Sequence, residues 1–247
     1  MWAFIAVVLA FLYLPLLPPL LFSLDSGDSQ APHWTLKWYG ELWNNPLLVG
    51  AAKTTLLVGV IVAAVTPLLG LLAAFAIREL GLPRLTLLVM LLPLFIPGVS
   101  MGLATAFLFR VMGIPPSLLA IVIVQVLWAL PFATVIITTV MSTFDPVYLE
   151  AAYMSGANRW RAFFDVELPL IAPGVVGAAT FALILSFNET IRTSAVQGPY
   201  NTVQTYIWST YKQVGLSPTL FALMSLIIVL SVGLAFACLA AAPRRTV

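Results

Sequence analysis

The side chains that most often perform catalysis or bind metals are scarce in this sequence. His33 is the only histidine and Cys238 the only cysteine among 247 residues, and none of the long apolar stretches carries two carboxylates. Acid–base catalysis and zinc binding both need such groups placed close together. No glycine-rich run of the form GxxxxGK[ST] occurs, so we expect no ATP binding by that route. We therefore expect no catalytic residue, no metal site and no bound cofactor in this chain.

The most informative polar segment is the stretch 142–168, which holds four of the nine acidic residues. Asp145 can cap a helix whose first residue is Pro146. That helix is expected to run about ten residues to Gly156, because glycine readily adopts the left-handed conformation that ends many helices.

A second short helix is predicted directly after the first. Asn158 can cap it, and Trp160, Phe163 and Phe164 then fall on one face at the spacing i, i+3 and i+4. Pro169 is expected to open the next apolar segment, because proline is tolerated at the start of a helix. Two short helices at a bend, joined to apolar segments on both sides, form an elbow suited to docking.

Three residues of the first predicted helix would form its contact surface. Ala151 and Ala152 give a surface of low relief that another protein can approach closely, and Glu150 places a charge at its edge. This interpretation makes the elbow a site for a protein partner.

The composition requires a lipid environment. Hydrophobic residues make up 62% and charged residues 8% of the chain, and the mean hydropathy is +1.06. Soluble domains carry about 25% charged residues, so a chain this apolar could not cover its own surface in water. The net charge of +2 is too small and too scattered to suggest nucleic-acid binding.

Six apolar segments are long enough to cross a bilayer, which takes about 20 residues per helix. They comprise residues 2–24, 54–77, 85–108, 117–141, 169–187 and 218–241. Helices are expected, because hydrocarbon leaves backbone groups no water to bond and the alternation of barrel strands is missing. The predicted fold is an all-α integral membrane protein with one transmembrane domain over 1–247. Prolines inside the segments, Pro67, Pro93, Pro97 and Pro131, are expected to kink their helices.

Basic residues predict the orientation of the six segments. The first segment lacks the basic start of a signal peptide, so we expect it to be retained as a span. The side that holds both termini then carries six basic residues and the other side five, in longer loops. The first group comprises Arg78, Arg84, Arg159, Arg161, Arg244 and Arg245. The positive-inside rule therefore predicts that both termini and the loop 142–168 are cytoplasmic.

The predicted elbow contains a spaced set of residues. Three residues separate a Glu-Ala-Ala triplet from a glycine. Nine further residues separate that glycine from an apolar residue, which is followed by any residue and Leu-Pro. The members are Glu150, Ala151, Ala152, Gly156, Val166, Leu168 and Pro169. This pattern resembles the signature of the inner-membrane permeases of type I, binding-protein-dependent ABC importers. Val166 stands where isoleucine is usual, and Ser155 where an aspartate is common.

The resemblance implies a set of partners. A separate cytoplasmic ATPase dimer, which holds the ATP and Mg, would take the helix Glu150–Gly156 into a surface groove. A second permease subunit would complete the pathway as a heterodimer, and an extracytoplasmic solute-binding protein would deliver the substrate. The family also implies the six-span architecture and a location in the cell (inner) membrane.

A second resemblance concerns the solute. Ser186-Phe187-Asn188-Glu189, followed by Gly198-Pro199 and the run 214–218, is similar to the spermidine/putrescine-type branch. A polyamine-like solute is therefore favoured, with phosphonate, ferric iron and thiamine as alternatives from the same branch. The branch usually carries an acid where Asn188 stands, which weakens the expectation of a doubly charged polyamine.

Four polar residues are candidates for the substrate pathway, because polar groups inside a span are costly unless they face a cavity or a partner helix. They are Gln125, Asn188, Glu189 and Arg192. The alternative is structural: Gln125 bonds a neighbouring helix, and Glu189 and Arg192 form a local ion pair at i, i+3. A secondary transporter or channel also fits the composition, but the span centres lack the charges expected for ion coupling.

Overall fold

The computed structural model describes residues 2–26, 33–79 and 83–241. The side chains of 3, 83, 84 and 234–241, and residues 1, 27–32, 80–82 and 242–247, lie outside that description. The predictions for Arg84, Cys238, Arg244 and Arg245 therefore lie outside it as well.

The described residues form helices joined by short turns, and they contain no β-strand beyond a single isolated bridge between Asp25 and Trp34. In chain order the α-helices are α1 (Trp2–Tyr13), α2 (Leu17–Phe22), α3 (Lys37–Trp43), α4 (Pro46–Glu79), α5 (Pro83–Leu91), α6 (Gly98–Val111), α7 (Leu118–Met141), α8 (Val147–Met154), α9 (Arg159–Arg161), α10 (Leu168–Phe187), α11 (Ile191–Val196), α12 (Val203–Val214) and α13 (Pro218–Ala241). The predicted all-α membrane fold is confirmed.

Within the described residues, four helical stretches are long and apolar enough to cross a membrane, namely Phe4–Phe22, Pro46–Glu79, Leu118–Met141 and Arg159–Phe187. A bent pair, Leu85–Phe95 and Gly98–Val111, would make a fifth span. The apolar part of α13 with described side chains, Pro218–Gly233, is shorter. The count of six spans is consistent with these helices and stays a prediction.

The second span begins earlier than the sequence analysis placed it. α4 starts at Pro46, and Lys53 therefore lies inside the helix and not in a loop. Asn45 is responsible, because its Oδ1 accepts hydrogen bonds from the N–H groups of Leu47 (3.0 Å) and Leu48 (3.2 Å). An asparagine cap followed by proline is a recognised helix start, so the sequence carried this signal.

The third predicted span is not one straight helix. α5 continues through a 3-10 turn, Leu92–Phe95, and the chain then turns by 99° before α6 begins at Gly98. Ile96 is extended (φ −85°, ψ 127°), because a residue before proline is pushed out of the helical region. Pro97 therefore breaks the span, where the sequence predicted only a kink.

The chain divides into two compact units, residues 1–49 with 206–247 and residues 50–205. In the first, the Tyr39 hydroxyl forms hydrogen bonds with the hydroxyls of Ser23 (2.8 Å) and Ser225 (2.5 Å). The rings of Phe22 and Phe221 pack 5.4 Å apart. These contacts fix α2 and α3 against α13.

The second unit is built around α7. One apolar cluster joins α7 to α4, α6, α10 and α11, and a second joins the other end of α7 to α4 and α10. Small residues allow the close approach that membrane helices need. A Cβ added at Gly174 of α10 would lie 2.8 Å from Val140 of α7.

Candidate functional site

Helix α8 starts with a side-chain cap. Asp145 Oδ1 accepts a hydrogen bond from the N–H of Val147 at 3.0 Å. The helix begins at Val147, one residue later than predicted, and Pro146 is its N-cap. Glu150 lies in the first turn, where a negative charge is favourable beside the exposed N–H groups.

The end of α8 is set by Gly156, whose φ is +84° as the sequence predicted. The Gly156 N–H donates to the Tyr153 carbonyl and the Ala157 N–H to the Ala152 carbonyl, both at 3.0 Å. This pair of bonds closes the last turn and requires the left-handed residue. A Cβ at Gly156 would meet no atom within 4 Å, so the glycine is needed for its backbone conformation and not for space.

The predicted second short helix is wrong as a separate element. Asn158 Oδ1 does cap it, accepting from the Arg161 N–H at 2.9 Å. From α9 the chain then continues through a π-helical segment, Ala162–Glu167, straight into α10. Arg159–Phe187 is therefore one helical stretch of 29 residues.

Pro169 consequently does not open the fifth span. Proline has no N–H and its ring crowds the carbonyl four residues earlier. In the widened segment before it, the Leu168 N–H donates to the Phe163 carbonyl, five residues back. The extra residue in this turn lets the helix pass through Pro169 without ending.

The predicted contact residues lie at the surface of the second unit. Glu150 and Ala151 are exposed and Ala152 is half-buried. Met154, on the same helix, is 89% exposed. Leu168 instead packs against the apolar cluster around Ile137 and Ile171, so it anchors the loop and does not present a surface.

Further aromatic side chains of the loop are exposed. They are Tyr148, Tyr153, Trp160 and Phe164, with Trp160 72% exposed. The rings of Trp160 and Phe164 stack 6.2 Å apart. The loop therefore offers an exposed surface of aromatic and small residues.

A charged contact that the sequence analysis missed joins this loop to α4. Arg78 Nη1 donates to Glu167 Oε1 at 2.5 Å, and the Glu167 side chain is 5% exposed. The Arg78 guanidinium also lies 4.8 Å from the centroid of the Phe75 ring. The partners are 89 residues apart in the sequence, and no local pattern could have paired them.

The predicted pathway residues fall into three separate environments. Gln125, 1% exposed, donates to Thr193 Oγ1 at 2.9 Å and accepts from Ser186 Oγ at 2.5 Å. It thereby bonds α7 to α10 and α11. Asn188 is exposed and donates to the Ile184 carbonyl at 2.8 Å.

Glu189 and Arg192 form the third environment, a buried ion pair. Glu189 Oε2 accepts from Arg192 Nη1 at 2.7 Å, and Glu189 Oε1 accepts from the Arg192 backbone N–H at 2.8 Å. The guanidinium lies 3.6 Å from the centroid of the Trp128 ring. A Cβ at Gly98 would be only 3.3 Å from Arg192 Nη2, so the broken third span packs directly on this cation.

Sequence comparison places this chain among transport proteins. Residues 56–245 match the family described as binding-protein-dependent transport system inner membrane component. The chain is 30% identical to the spermidine/putrescine transport system permease protein PotC of Escherichia coli K12, over 92% of this chain and 88% of that protein. It is 27% identical to the putrescine transport system permease protein PotI of the same organism, over 92% and 85%.

Two solved structures share the fold. One is a bacterial ABC transporter for import of the acidic polysaccharide alginate, with a TM-score of 0.73, 14% identity and coverage of 97% of this chain and 94% of that chain. The other is a bacterial alginate ABC transporter in complex with an alginate pentasaccharide-bound periplasmic protein, with a TM-score of 0.67, 19% identity and coverage of 99% and 94%. The chain belongs to the family of binding-protein-dependent transport system inner membrane components, and it is a multi-pass permease subunit of a type I ABC importer and not an enzyme.

Proposed function

We propose that this permease forms a solute pathway with a second permease subunit and is driven by a cytoplasmic ATPase dimer that grips α8. The ATPase subunits, and not this chain, hold ATP and Mg. The observation that carries the proposal is the shape of the loop. A short helix, closed by a left-handed glycine, exposes Glu150 and Ala151 away from the packed core.

The continuous helix Arg159–Phe187 supports transmission of force. Because no loop separates α9 from α10, a rotation of the elbow moves the fifth span with it. In this proposal Glu150, Ala151, Ala152 and Gly156 form the ATPase contact. Leu168 and Pro169 form the base through which the motion enters the span. Alternating access then follows as a two-state equilibrium that ATP and the loaded binding protein bias.

The proposed orientation places both termini and the loop 142–168 in the cytoplasm. The outer segment 188–217 would then receive the solute-binding protein. Its helix α12 carries exposed Trp208 and Tyr211 and a nearby cation, Lys212, which lies 4.8 Å from the Trp208 ring centroid. Aromatic residues of this kind are frequent both at membrane surfaces and in protein contacts.

A polyamine-like cation is the proposed solute, and similarity to PotC and PotI supports it. Gln125, Asn188, Glu189 and Arg192 are the proposed pathway residues. Arg192 occupies both carboxylate oxygens of Glu189. An ammonium group of the solute would therefore have to displace Arg192 before it could bind Glu189. Phosphonate, ferric iron and thiamine are the competing solutes.

The test is uptake by the complete transporter in proteoliposomes. The complex would be reconstituted from this chain, a binding protein, an ATPase and a second permease of the same organism. Radiolabelled spermidine, putrescine, thiamine, a phosphonate and ferric iron would be supplied in turn. ATP-dependent uptake of spermidine or putrescine is expected. Uptake of one of the other solutes alone would overturn the polyamine assignment, and uptake without the ATPase subunits would overturn the proposed mechanism.

A further inference from the structure

We infer that Arg78 and Glu167 are positioning residues that carry the motion of the elbow to the second span, in addition to the fifth. This inference rests on the proposed function of α8. The first observation is Glu167, which lies in the π-helical segment between the elbow and α10. Its side chain is only 5% exposed. A buried carboxylate is costly unless a cation pairs with it.

That cation comes from another element. Arg78 lies in the last turn of α4, and its Nη1 contacts Glu167 Oε1 at 2.5 Å. The Phe75 ring lies 4.8 Å below the guanidinium. The Phe163 ring, in the π-helical segment, packs edge-on against Phe75 with centroids 5.5 Å apart. The end of α4 therefore holds the π-helical segment at two points, one charged and one aromatic.

The position of this contact suits transmission. The π-helical segment lies between the proposed ATPase contact and the fifth span, so a displacement of α8 reaches the fifth span through it. Single turns of π-helix are frequently found at functional sites. Packed contacts of this kind tend to switch between discrete arrangements and do not deform continuously. A rigid tie to α4 at this turn would make the second and fifth spans move together.

The chain supplies a matched control. Arg78 has a second carboxylate neighbour, Glu79, at 3.6 Å, whose side chain is 63% exposed. Glu79 is on the same helix as Arg78 and makes no link to the elbow through this contact. Solvent-exposed ion pairs contribute little. Loss of Glu79 should therefore leave transmission unchanged, although it removes a partner of the same arginine.

The experiment measures solute transported per ATP hydrolysed in the reconstituted transporter. Glu167→Gln and Arg78→Gln should assemble and hydrolyse ATP. The amount of solute transported per ATP should nevertheless fall about fivefold or more, which is the lower end of the range usual for coupling between two sites. The exchanged pair Arg78→Glu/Glu167→Arg should recover most of the ratio, and Glu79→Gln should match the parent. A purely structural role would lower transport and hydrolysis together, in proportion to the folded complex.

Three results would overturn the inference. They are a parental ratio in both single variants, a loss that tracks only the amount of complex, and an equal loss in Glu79→Gln. If the single variants do not assemble, the exchanged pair decides: a parental ratio supports the inference and a lowered ratio overturns it. Ala152→Trp in the same assay separates the two proposals. If it transports normally, the proposed function of α8 fails. If Ala152→Trp lowers the amount of solute transported per ATP and Glu167→Gln does not, only the positioning role of Glu167 fails.

Discussion

At the scale of single residues, the buried pair of Glu189 and Arg192 shows how the fold accommodates charges near the membrane. Both are less than a tenth exposed. Glu189 accepts hydrogen bonds from Arg192 at both carboxylate oxygens, whereas Arg192 Nε is buried without a hydrogen-bond partner among the described residues. From the sequence, this pair at the spacing i, i+3 is the structural alternative to a pathway site. The Trp128 ring and the glycine at 98, which complete its surroundings, come from other elements and carry no local signal.

This pair leads to the first prediction. Glu189→Gln leaves the Arg192 cation buried without its counter-charge, and removal of one partner of a buried pair typically costs about 3–5 kcal/mol. We expect the single variant to lower the melting temperature of the purified complex. The double variant Glu189→Gln/Arg192→Gln should recover most of that loss, because it leaves no unpaired charge.

Uptake then separates the two interpretations of Glu189. If Glu189 binds the solute, the stable double variant still fails to transport spermidine. Normal uptake by the double variant would show that the pair is only structural. A melting temperature of Glu189→Gln equal to that of the parent would contradict the ion-pair account itself.

At the scale of elements, contact between α7 and α10 gives the second prediction. Gly174→Ala places a Cβ 2.8 Å from Val140, whereas Gly177→Ala on the same helix meets its nearest atom, in Ile136, at 3.8 Å. Overpacking typically costs about 1–3 kcal/mol. Gly174→Ala should therefore lower the melting temperature of the complex, and Gly177→Ala should not. Equal melting temperatures for the two variants would mean that these helices do not approach as closely as described.

The elements also show which features the sequence could predict. Long apolar runs, the caps Asp145 and Asn158, and the left-handed Gly156 were all local signals. The helix that follows Asp145 is present and ends before Gly156, whereas the helix capped by Asn158 continues into the fifth span. The passage of the helix through Pro169 could not be predicted in this way. It depends on a π-helical turn, which is rare and has no sequence signal of its own.

At the scale of the whole molecule, the third prediction concerns orientation. Single cysteines would be placed at Asn44, Gln213 and Asn158, all of which are exposed, in a variant whose Cys238 is replaced by serine. With both termini in the cytoplasm, the cysteines at 44 and 213 should react with an impermeant thiol reagent in intact cells. The cysteine at 158 should react only after the inner membrane is opened. Labelling of position 158 from outside would reverse the proposed topology.

The central claim is that α8 is the contact through which a partner ATPase drives transport. The most direct measurement is the ATPase activity of the co-purified complex, with and without loaded binding protein, for variants of the loop. Gly156→Val forces a β-branched residue into the left-handed region, which such side chains adopt only under strain. Ala152→Trp enlarges the half-buried side of the contact. Gly113→Val is the matched control, since Gly113 also has a positive φ (+72°) and open space around it.

We predict that Gly156→Val and Ala152→Trp insert and pair with the second permease but lose the stimulation by loaded binding protein, through weak ATPase binding or uncoupled hydrolysis. Glu150→Gln should reduce the stimulation less, since a charge at the solvent-exposed edge of an interface contributes about 1 kcal/mol or less. Gly156→Asn should keep most stimulation, because asparagine tolerates the left-handed conformation. If Gly156→Val and Ala152→Trp both assemble and respond like the parent and Gly113→Val, α8 is not the coupling element.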